Sequence, residues 1–364
     1  MRHTVYVILA LVLIACGPQN EEKSQVNSDI SNIYIGTYTQ GESEGVYSAQ
    51  FDSKSGKLSN LELVSKSENP SFLALIDDDK LVAVNEIDPG MITLFDLTSK
   101  TIIQDLPTDG IHPCHVSVNE ELGLVSIANY SSGSLTFMRY NEGKLSLEKT
   151  FQHYGSGPNL DRQEAPHAHF STFSKDGSLM FACDLGIDRV MAYPLANLDS
   201  GFVAWEAQPA DGPRHLDFHP TKNLVFVLNE LSNTVNSFSL QPEGTFEVID
   251  RASTLPEDFQ DFSKAADIHV SPNGRFLYVS NRGYDSIAIY EISDDGSLTR
   301  LGFATEKIQT PRNFTLDPTG RWLLVANQDG NNIISFQVQE NGLLKPTNYS
   351  IEVGNPVCVV FHRL

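Results

Sequence analysis

The chain has 364 residues, of which 40% are hydrophobic and 20% are charged, a composition that suits a soluble globular protein with a large core and excludes a low-complexity chain. Its 46 Asp and Glu outnumber its 25 Lys and Arg, and the formal net charge of −21 argues against nucleic acid as a partner. An anionic ligand would need a local cluster of cations to bind against this overall field.

The first 16 residues have the pattern of an export signal. Arg2 and His3 precede eleven uncharged residues, too few to span a bilayer that needs about 20. Ala15 and Cys16 then resemble the lipobox of bacterial lipoproteins, although an ordinary signal peptide or a buried N-terminal strand would also fit. We expect residues 1–16 to be a lipoprotein signal, Cys16 to be lipidated, and the protein to be exported and anchored to a membrane of the cell envelope.

Residues 17–31 are polar and contain Gly, Pro and Ser, as expected of a flexible tether. A single globular domain is expected to occupy residues 32–364. Without the signal, 24 Lys and Arg face 46 Asp and Glu, and the net charge becomes −22.

Six hydrophobic strands end on Asn or Asp, at intervals of 44, 55, 45, 52 and 46 residues. Each is followed by a short polar turn and a second apolar run, as in LVSIANYSSGSLTF and FLYVSNRGYDSIAIY. A period in the forties that contains only strands predicts an all-β propeller, because one four-stranded blade must stack against its neighbours to bury both faces. The repeated residues are Asn85, Asn129, Asp184, Asn229, Asn281 and Asn327.

The repeats account for six blades, from about residue 70 to residue 345, and leave strands over at both ends of the chain. The C-terminal segment 355–361 has the pattern of an innermost strand, and segments 33–38 and 45–51 have the pattern of strands further out. Together they predict a seventh blade shared by the two termini, which would close the ring and remove exposed sheet edges. Rings of six or eight blades are the weaker alternatives.

Three cysteines remain after Cys16, namely Cys114, Cys183 and Cys358, and none belongs to a CxxC pair. Their spacing predicts small buried residues on strands rather than a zinc site or a disulfide framework. The histidines near residues 112–115 and 167–169 lack a spacing that forces metal coordination, so we expect no metal site.

Two registers differ from blade to blade and are therefore candidates for function. The residue after each repeated Asn or Asp is chemically varied, which suits side chains directed into a shared cavity. A second register lies 15 residues before each repeated Asn or Asp, at the entry to each innermost strand. The first register holds Glu86, Tyr130, Leu185, Glu230, Arg282 and Gln328, and the second holds Pro70, Cys114, His169, Arg214, Ala266 and Arg312.

These registers predict that His169, Arg214 and Arg312 meet Glu230 and Arg282 at one mouth of the central channel. An alternative is that such residues form salt bridges between blades, for example between Arg214 and Glu230. The connection from Phe151 to Pro166 is longer than the others and rich in Gly, so we expect it to fold over the same mouth with Arg162 and Gln163.

Several long segments, among them RQEAPHAHFSTFSKDGSLMFACD, GPRHLDFHPTKNLVFVLNELSNTV and AADIHVSPNGRFLYVSNRGYDSIAIY, resemble the bacterial seven-bladed 6-phosphogluconolactonase family, which also includes fungal 3-carboxy-cis,cis-muconate cycloisomerases. The resemblance covers nearly all of the chain after residue 32. It implies hydrolysis of a sugar lactone, or in the cycloisomerase branch closure of a lactone from a diacid, without a cofactor.

The resemblance also implies a catalytic set: His169 (or His167) of PHAH, Arg214 of GPRH, Glu230 of NEL and Arg282 of SNRG. Ester hydrolysis needs a base for water and donors for the oxyanion; Glu230 or His169 would be the base, and the two arginines would hold the oxyanion or a substrate carboxylate or phosphate. The expected substrate-binding residues are His167, Arg162, Gln163, Tyr130, Asp184, Arg312 and Gln328.

Phosphorylated gluconolactone is a cytosolic intermediate and would be scarce around an exported protein. An unphosphorylated sugar lactone or related aldonolactone is therefore the alternative substrate. The expected partners are a sugar lactone or phosphorylated sugar acid and a membrane reached through Cys16, and the protein is expected to be a monomer. The alternatives are a muconate-type cycloisomerase and a non-catalytic carbohydrate- or envelope-binding propeller.

Overall fold

The computed structural model describes residues 29–198 and 200–362. Within them the chain forms 28 strands and no helix, arranged as seven four-stranded antiparallel sheets, so the predicted all-β seven-bladed propeller is confirmed. The predicted signal with Cys16 and nearly all of the tether lie outside the described residues. Strand β1 begins at Ile30, two residues before the domain boundary predicted at residue 32.

We number the six blades of consecutive strands 1 to 6 and write their strands from the channel outward. Blades 1 to 3 consist of β4 (Pro70–Asp77), β5 (Lys80–Asn85), β6 (Met91–Asp96) and β7 (Thr101–Pro107); β8 (Pro113–Asn119), β9 (Leu124–Asn129), β10 (Ser134–Asn141) and β11 (Lys144–Gln152); and β12 (Ala168–Phe173), β13 (Leu179–Asp184), β14 (Arg189–Pro194) and β15 (Phe202–Glu206). Blades 4 to 6 consist of β16 (Pro213–Phe218), β17 (Leu224–Asn229), β18 (Thr234–Leu240) and β19 (Phe246–Ser253); β20 (Lys264–Val270), β21 (Phe276–Arg282), β22 (Ser286–Ile292) and β23 (Leu298–Ala304); and β24 (Pro311–Leu316), β25 (Trp322–Asn327), β26 (Asn332–Val338) and β27 (Leu344–Glu352).

Blade 7 joins the two ends of the chain, as predicted. Its innermost strand is the C-terminal β28 (Pro356–Phe361), which pairs with β1 (Ile30–Thr37), and β2 (Gly45–Asp52) and β3 (Lys57–Lys66) follow outward. Strand β3 was not assigned from the sequence. Innermost strands contact one another around the whole ring, including β24 with β28 and β28 with β4, so the ring closes.

The hydrophobic core lies between blades rather than within them. The second strand of each blade is covered on both faces, and β9, β17 and β25 are buried along their whole length. One apolar cluster fills each of the seven blade interfaces; that between blades 6 and 7, for example, packs Trp322 and Leu324 against Phe51 and Ile35. This packing makes each blade a support for its neighbours and fixes the channel-lining strands.

The repeated Asn residues are structural, as the sequence suggested. Asn129 Nδ2 donates to Thr136 Oγ1 on the next strand at 3.0 Å, and Asn281 Nδ2 donates to the Thr254 carbonyl at 2.8 Å. The three cysteines, Cys114, Cys183 and Cys358, are buried and free on innermost or second strands. Within the described residues, no helix is long and apolar enough to cross a membrane.

Further along the innermost strands, a largely buried ionic cluster links blades 4, 5 and 6. Asp267 Oδ1 accepts a hydrogen bond from His215 Nδ1 at 2.8 Å, and its Oδ2 accepts from Asn313 Nδ2 at 2.6 Å and from His269 Nε2 at 3.3 Å. Burial alone would lower the pKa of His269, but Asp267 and Asp217 raise it to about 9. His269 is thus an ion-pair partner of Asp267.

A histidine with a raised pKa stabilises the fold below its ordinary pKa, and that stability is lost as the pH rises through the folded-state value. We therefore expect the melting temperature of the wild type to fall between about pH 6.5 and pH 9. In His269→Gln this alkaline decline should be smaller, because the variant has no proton to release. Thermal denaturation at matched ionic strength across pH 6 to 9.5 measures the two slopes; parallel slopes would contradict the ionic role of His269.

Candidate active site

The channel-facing residues of the second register lie at β-bulges of the innermost strands. In blade 3, Ala168 pairs with Asp184 and Phe170 pairs with Cys183, so His169 is an extra residue on the innermost strand. A bulge redirects a side chain out of the alternating pattern of the strand. Equivalent irregularities lie at Ser71, Cys114, Arg214, Ala266–Asp267, Arg312 and Val357 in the other blades.

Blade 1 departs from the 15-residue spacing used to define this register. Pro70 pairs with Asn85, and the bulged residue is Ser71, only 14 positions before Asn85. The interval is shorter because the β4–β5 hairpin has one residue fewer than its counterparts. The assignment of Pro70 to the register was therefore wrong, and Ser71 takes its place.

The second register forms one ring of residues at the channel mouth, and the first register forms another. The first register has a seventh member that was not identified from the sequence. In blade 7, Thr37 pairs with Pro356 in the position that Asn or Asp occupies elsewhere, and the residue after it is Tyr38. Thr37 is fully buried and donates from Oγ1 to the Gly45 carbonyl at 2.7 Å, which makes it a structural substitute for Asn.

The two rings enclose a cavity of about 180 Å³, smaller than the roughly 300–1,000 Å³ typical of drug-sized ligands. Such a volume suits a small polar molecule. A larger cavity of about 310 Å³ between blades 3 and 4 is lined by Phe218, Lys175 and loop residues and belongs to neither ring. The cavity at the mouth is lined by Glu86, Cys114, Tyr130, Arg162, His169, Glu230, Lys264, Arg282 and Arg312.

Glu230 is the centre of a buried ionic cluster on one side of this cavity. Its Oε1 accepts a hydrogen bond from Arg162 Nη2 at 2.7 Å, and its Oε2 accepts from Arg214 Nε at 2.8 Å and from Arg282 Nη2 at 2.9 Å. The salt bridge considered for Arg214 and Glu230 therefore exists, but both residues belong to blade 4, so it lies within one blade. The bridge from Arg282 to Glu230 is the one that joins two blades, 5 and 4. Arg214 itself does not line the cavity but lies behind Glu230, where it also donates to the Ala266 carbonyl.

The three guanidinium groups decide the charge of Glu230. Burial would raise the pKa of this carboxyl, but Arg282, Arg214 and Arg162 together hold it well below its usual range. Burial lowers the pKa of Arg282 to about 9 despite the opposing effect of Glu230, so Arg282 remains cationic at neutral pH. With Lys264 and Arg312, five cations surround two carboxylates in a protein of net charge −21.

Two buried nitrogens at the cavity have no hydrogen-bond partner among the described residues. They are Nδ1 of His169 and Nε of Arg282. Burial, reinforced by Arg214 and other nearby cations, keeps the pKa of His169 well below its ordinary value, so its imidazole is neutral at pH 7. Buried polar groups without partners are uncommon, and these two belong to residues that line the same small cavity.

The opposite side of the cavity holds a second carboxylate. The Tyr38 hydroxyl donates to Glu86 Oε2 at 2.8 Å, and the Arg312 guanidinium lies 5.2 Å from the centre of the Tyr38 ring. Burial raises the pKa of Tyr38, so its hydroxyl keeps its proton and remains a donor. Although burial opposes it, the pKa of Arg312 is raised by its neighbours Tyr38, Glu86 and Glu230.

The long connection lies at the mouth of the channel, as predicted. Strand β11 ends at Gln152 and β12 begins at Ala168, and Arg162 of this connection reaches both Glu230 and the Tyr130 hydroxyl, the latter at 3.3 Å. Gln163 is fully buried and anchors the connection by donating to the Leu185 carbonyl at 2.9 Å and to Asp188 Oδ1 at 2.7 Å. The packing is close, since a Cβ at Gly157 would come within about 2.5 Å of the Gln163 amide.

Four predicted substrate-binding residues do not line the cavity. Gln163 and Asp184 are buried supports; Asp184 accepts from the His167 backbone at 2.7 Å and pairs with His153 at 2.5 Å. His167 stacks on Tyr130, with 4.5 Å between ring centres, and is bonded to the Tyr130 carbonyl. Gln328 donates a hydrogen bond to its neighbour Asp329, and blade 6 contributes Arg312 to the cavity.

The predicted residues that the structure does bring together at the cavity are His169, Glu230, Arg282, Arg162, Tyr130 and Arg312. Three participants were not among the predicted catalytic or substrate-binding residues, namely Tyr38, Glu86 and Lys264. Glu86 was identified as a member of the first register but was given no role, and aligning GTYTQ with VNEID would have added Tyr38 to that register. Lys264 begins β20 after a variable loop and has no such signal. No group of three or more His, Cys, Asp or Glu side chains among the described residues is arranged to hold a metal ion.

Residues 32–361 match the protein family described as "Lactonase, 7-bladed beta-propeller", and the chain belongs to this family. It is 36% identical over 297 residues to the 6-phosphogluconolactonase of Bacillus subtilis, a match that covers 78% of this chain and 84% of the relative.

Among solved structures, a putative 6-phosphogluconolactonase of Bacteroides uniformis superimposes with a TM-score of 0.84 at 34% identity, covering 92% of this chain and 99% of that one. A periplasmic gluconolactonase of Pseudomonas aeruginosa superimposes with a TM-score of 0.85 at 29% identity, covering 91% and 99%. Both alignments extend over the whole propeller.

Proposed function

We propose that this protein hydrolyses a sugar lactone, 6-phosphogluconolactone or a related aldonolactone, with water as the nucleophile. The observation that carries the proposal is the small cavity at the channel mouth, which is lined by two carboxylates, a neutral histidine and four cations and has a fifth cation, Arg214, behind Glu230. Hydrolysis of an ester develops negative charge on the carbonyl oxygen, and the cationic Arg282 and the neutral His169 that line the cavity can donate hydrogen bonds to it. The family and the named relatives support the same chemistry.

The residues at the cavity have different roles in the proposed reaction. Arg282, held by Glu230 and by the Ala265 carbonyl at 3.1 Å, stabilises the tetrahedral oxyanion. Arg162 and Lys264 near the rim, and Arg312 on the far side, bind the hydroxyl, carboxylate or phosphate oxygens of the substrate. Arg214 acts through Glu230, because it lies behind that carboxylate rather than in the cavity.

Lactone closure from a muconate-type diacid is the second candidate, and the distribution of cations favours keeping it. Arg162, Arg282 and Lys264 face Glu230, while Arg312 faces Glu86, so two carboxylates of one diacid would find cations on both sides of the cavity.

A substrate panel decides between the candidates. Protein that lacks residues 1–16 should accelerate base consumption with glucono-δ-lactone or its 6-phosphate well above the spontaneous rate. Turnover of muconates with no effect on either lactone would favour the cycloisomerase. Thermal stabilisation by these sugars without any product would indicate a non-catalytic binding propeller.

We also propose that the protein is exported and anchored through a lipid on Cys16 and that it acts as a monomer. The basic start, the short apolar segment and the Ala15–Cys16 junction support the anchor. The Pseudomonas relative named as a periplasmic gluconolactonase is consistent with an extracytoplasmic site of action.

Replacing Cys16 with Ser should move the protein from the membrane fraction to the soluble fraction, because no thiol remains to be acylated. Labelling with a radioactive fatty acid during growth should mark the wild type and not Cys16→Ser. The buried Cys183→Ser serves as the matched control and should keep its label. Equal labelling of wild type and Cys16→Ser would contradict the anchor.

A further inference from the structure

Hydrolysis requires a base that takes a proton from water, and the sequence left Glu230 and His169 as candidates. Glu230 is unsuited to this role. Both of its oxygens accept charge-assisted hydrogen bonds from arginines, at 2.7 Å, 2.8 Å and 2.9 Å, and these bonds hold its pKa well below the usual range of a carboxyl. A carboxylate that is stabilised so strongly has little affinity for a proton.

His169 is also a poor base. Its imidazole is buried, and burial together with the charges of Arg214, Arg312 and Arg282 keeps its pKa well below the ordinary value. Each of these positive charges opposes the formation of an imidazolium at this place. The neutral ring is better suited to hydrogen bonding with the substrate through its unpartnered Nδ1.

Glu86 differs from both. It lines the same cavity, and within the described residues its carboxylate receives one side-chain hydrogen bond, from the Tyr38 hydroxyl to Oε2 at 2.8 Å. Its Oε1 receives no hydrogen bond from any of these residues and is therefore available to a water molecule. The backbone of Glu86 is fixed by donation to the Asn69 carbonyl at 3.0 Å, and Asn69 in turn accepts from the Thr39 amide at 2.9 Å.

Tyr38 and Arg312 hold Glu86 in place. The Tyr38 hydroxyl is a neutral donor, and its ring is held by the buried guanidinium of Arg312 at 5.2 Å. Arg312 also brings a positive charge near Glu86 without donating a hydrogen bond to it within the described residues. The carboxylate is thus oriented while one oxygen stays free, which is the arrangement that a general base requires.

We propose that Glu86 is the general base that activates the hydrolytic water, with Tyr38 as its positioning residue. This inference rests on the lactonase activity proposed above. It divides the cavity into a basic side, formed by Glu86 and Tyr38, and an oxyanion side, formed by Arg282 and Glu230.

The reaction then balances without a further reactant. Glu86 takes a proton from water while the water oxygen forms a bond to the lactone carbonyl carbon, and the carbonyl electron pair moves to the oxyanion beside Arg282. When the oxyanion collapses, the bond between the carbonyl carbon and the ring oxygen breaks. The ring oxygen takes the proton back from Glu86, and the new carboxylic acid releases its own proton to solvent.

The test compares Glu86→Gln with Asp88→Asn, an exposed acid two positions further along the same connection. Glu86→Gln should lower kcat for lactone hydrolysis by about 10²–10⁴-fold with little change in KM, since a general base contributes that factor. Asp88→Asn should retain wild-type kcat. A Glu86→Gln enzyme with kcat within threefold of the wild type would overturn the proposal.

A second variant distinguishes chemistry from a structural defect. Glu86→Ala leaves space at the cavity, and added formate should restore a saturable part of the lost rate, whereas chloride at the same ionic strength should not. Tyr38→Phe, which retains the ring over Arg312, should lower kcat more than it raises KM. Absence of formate rescue in a folded Glu86→Ala protein would assign the loss to structure and overturn the proposal.

The wild-type assay separates this inference from the proposed function. If the wild type fails to accelerate the hydrolysis of any lactone, both the proposed function and the role of Glu86 are wrong. If the wild type is active and Glu86→Gln is equally active, only the role of Glu86 falls, and the lactonase assignment stands.

Discussion

Replacing Glu230 with Gln should have the largest effect of any single substitution in the site. Glu230 is the counter-charge for Arg162, Arg214 and Arg282, and an amide leaves three guanidinium groups in mutual repulsion in a buried place. We expect a loss of about 3–5 kcal/mol in the free energy of unfolding, the range found when one partner of a buried ion pair is removed. Lactone hydrolysis should fall by at least about 10³-fold, because the oxyanion donor loses its anchor.

Urea denaturation and initial rates measured on the same preparation check both effects. The matched control is Glu206→Gln, which removes the carboxylate of the exposed Arg189–Glu206 pair. Exposed pairs contribute roughly 0–1 kcal/mol, so this control should remain close to wild type in stability and rate. A Glu230→Gln protein of unchanged stability would show that the arginines do not depend on Glu230.

Replacing Arg282 with Met should produce the second largest loss of activity. The Arg282 guanidinium bridges Glu230 and the Ala265 carbonyl, and its Nε has no partner among the described residues. Loss of one oxyanion donor lowers kcat by about 10²–10³-fold, and we expect that range with a smaller change in KM. Arg282→Lys should recover little, because an ammonium keeps the charge but lacks the further N–H groups of the guanidinium beside the Nη2 that donates to both partners.

Steady-state kinetics with added ethylguanidinium provide the readout, since this cation should partly restore the rate of Arg282→Met. Arg275→Met is the matched control; Arg275 immediately precedes the same strand, is exposed and pairs only loosely with Glu291 at 3.8 Å. Retention of more than a third of wild-type kcat in Arg282→Met would contradict the role of Arg282 as an oxyanion donor.

The fold could be predicted from the sequence because the core of a propeller lies between repeated blades. Every blade needs a doubly buried second strand that ends on a small hydrogen-bonding residue, so the pattern that ends on Asn85, Asn129 or Asn327 recurs with little change. The pattern fails at blade 7, where Thr37 replaces Asn and is bonded differently, and this substitution concealed Tyr38.

The site could be predicted only in part, because one register serves different purposes in different blades. The bulge that directs His169 and Arg312 into the cavity places Arg214 behind Glu230 and carries a small Ser71 in blade 1. Asp184 occupies the structural Asn position and supports His153 rather than a substrate. Which residue faces the cavity depends on bulges and on the packing of the neighbouring blade, and sequence spacing alone does not contain that information.

Above all, we predict that the cationic mouth of this propeller opens lactone rings. The most direct measurement is the initial rate of base consumption when purified protein lacking residues 1–16 is mixed with glucono-δ-lactone, in parallel with its Glu230→Gln variant. The wild type should exceed the spontaneous rate by several orders of magnitude, and the variant should return to that rate. Equal rates with wild type, with variant and without protein, for this lactone and its 6-phosphate, would contradict the account.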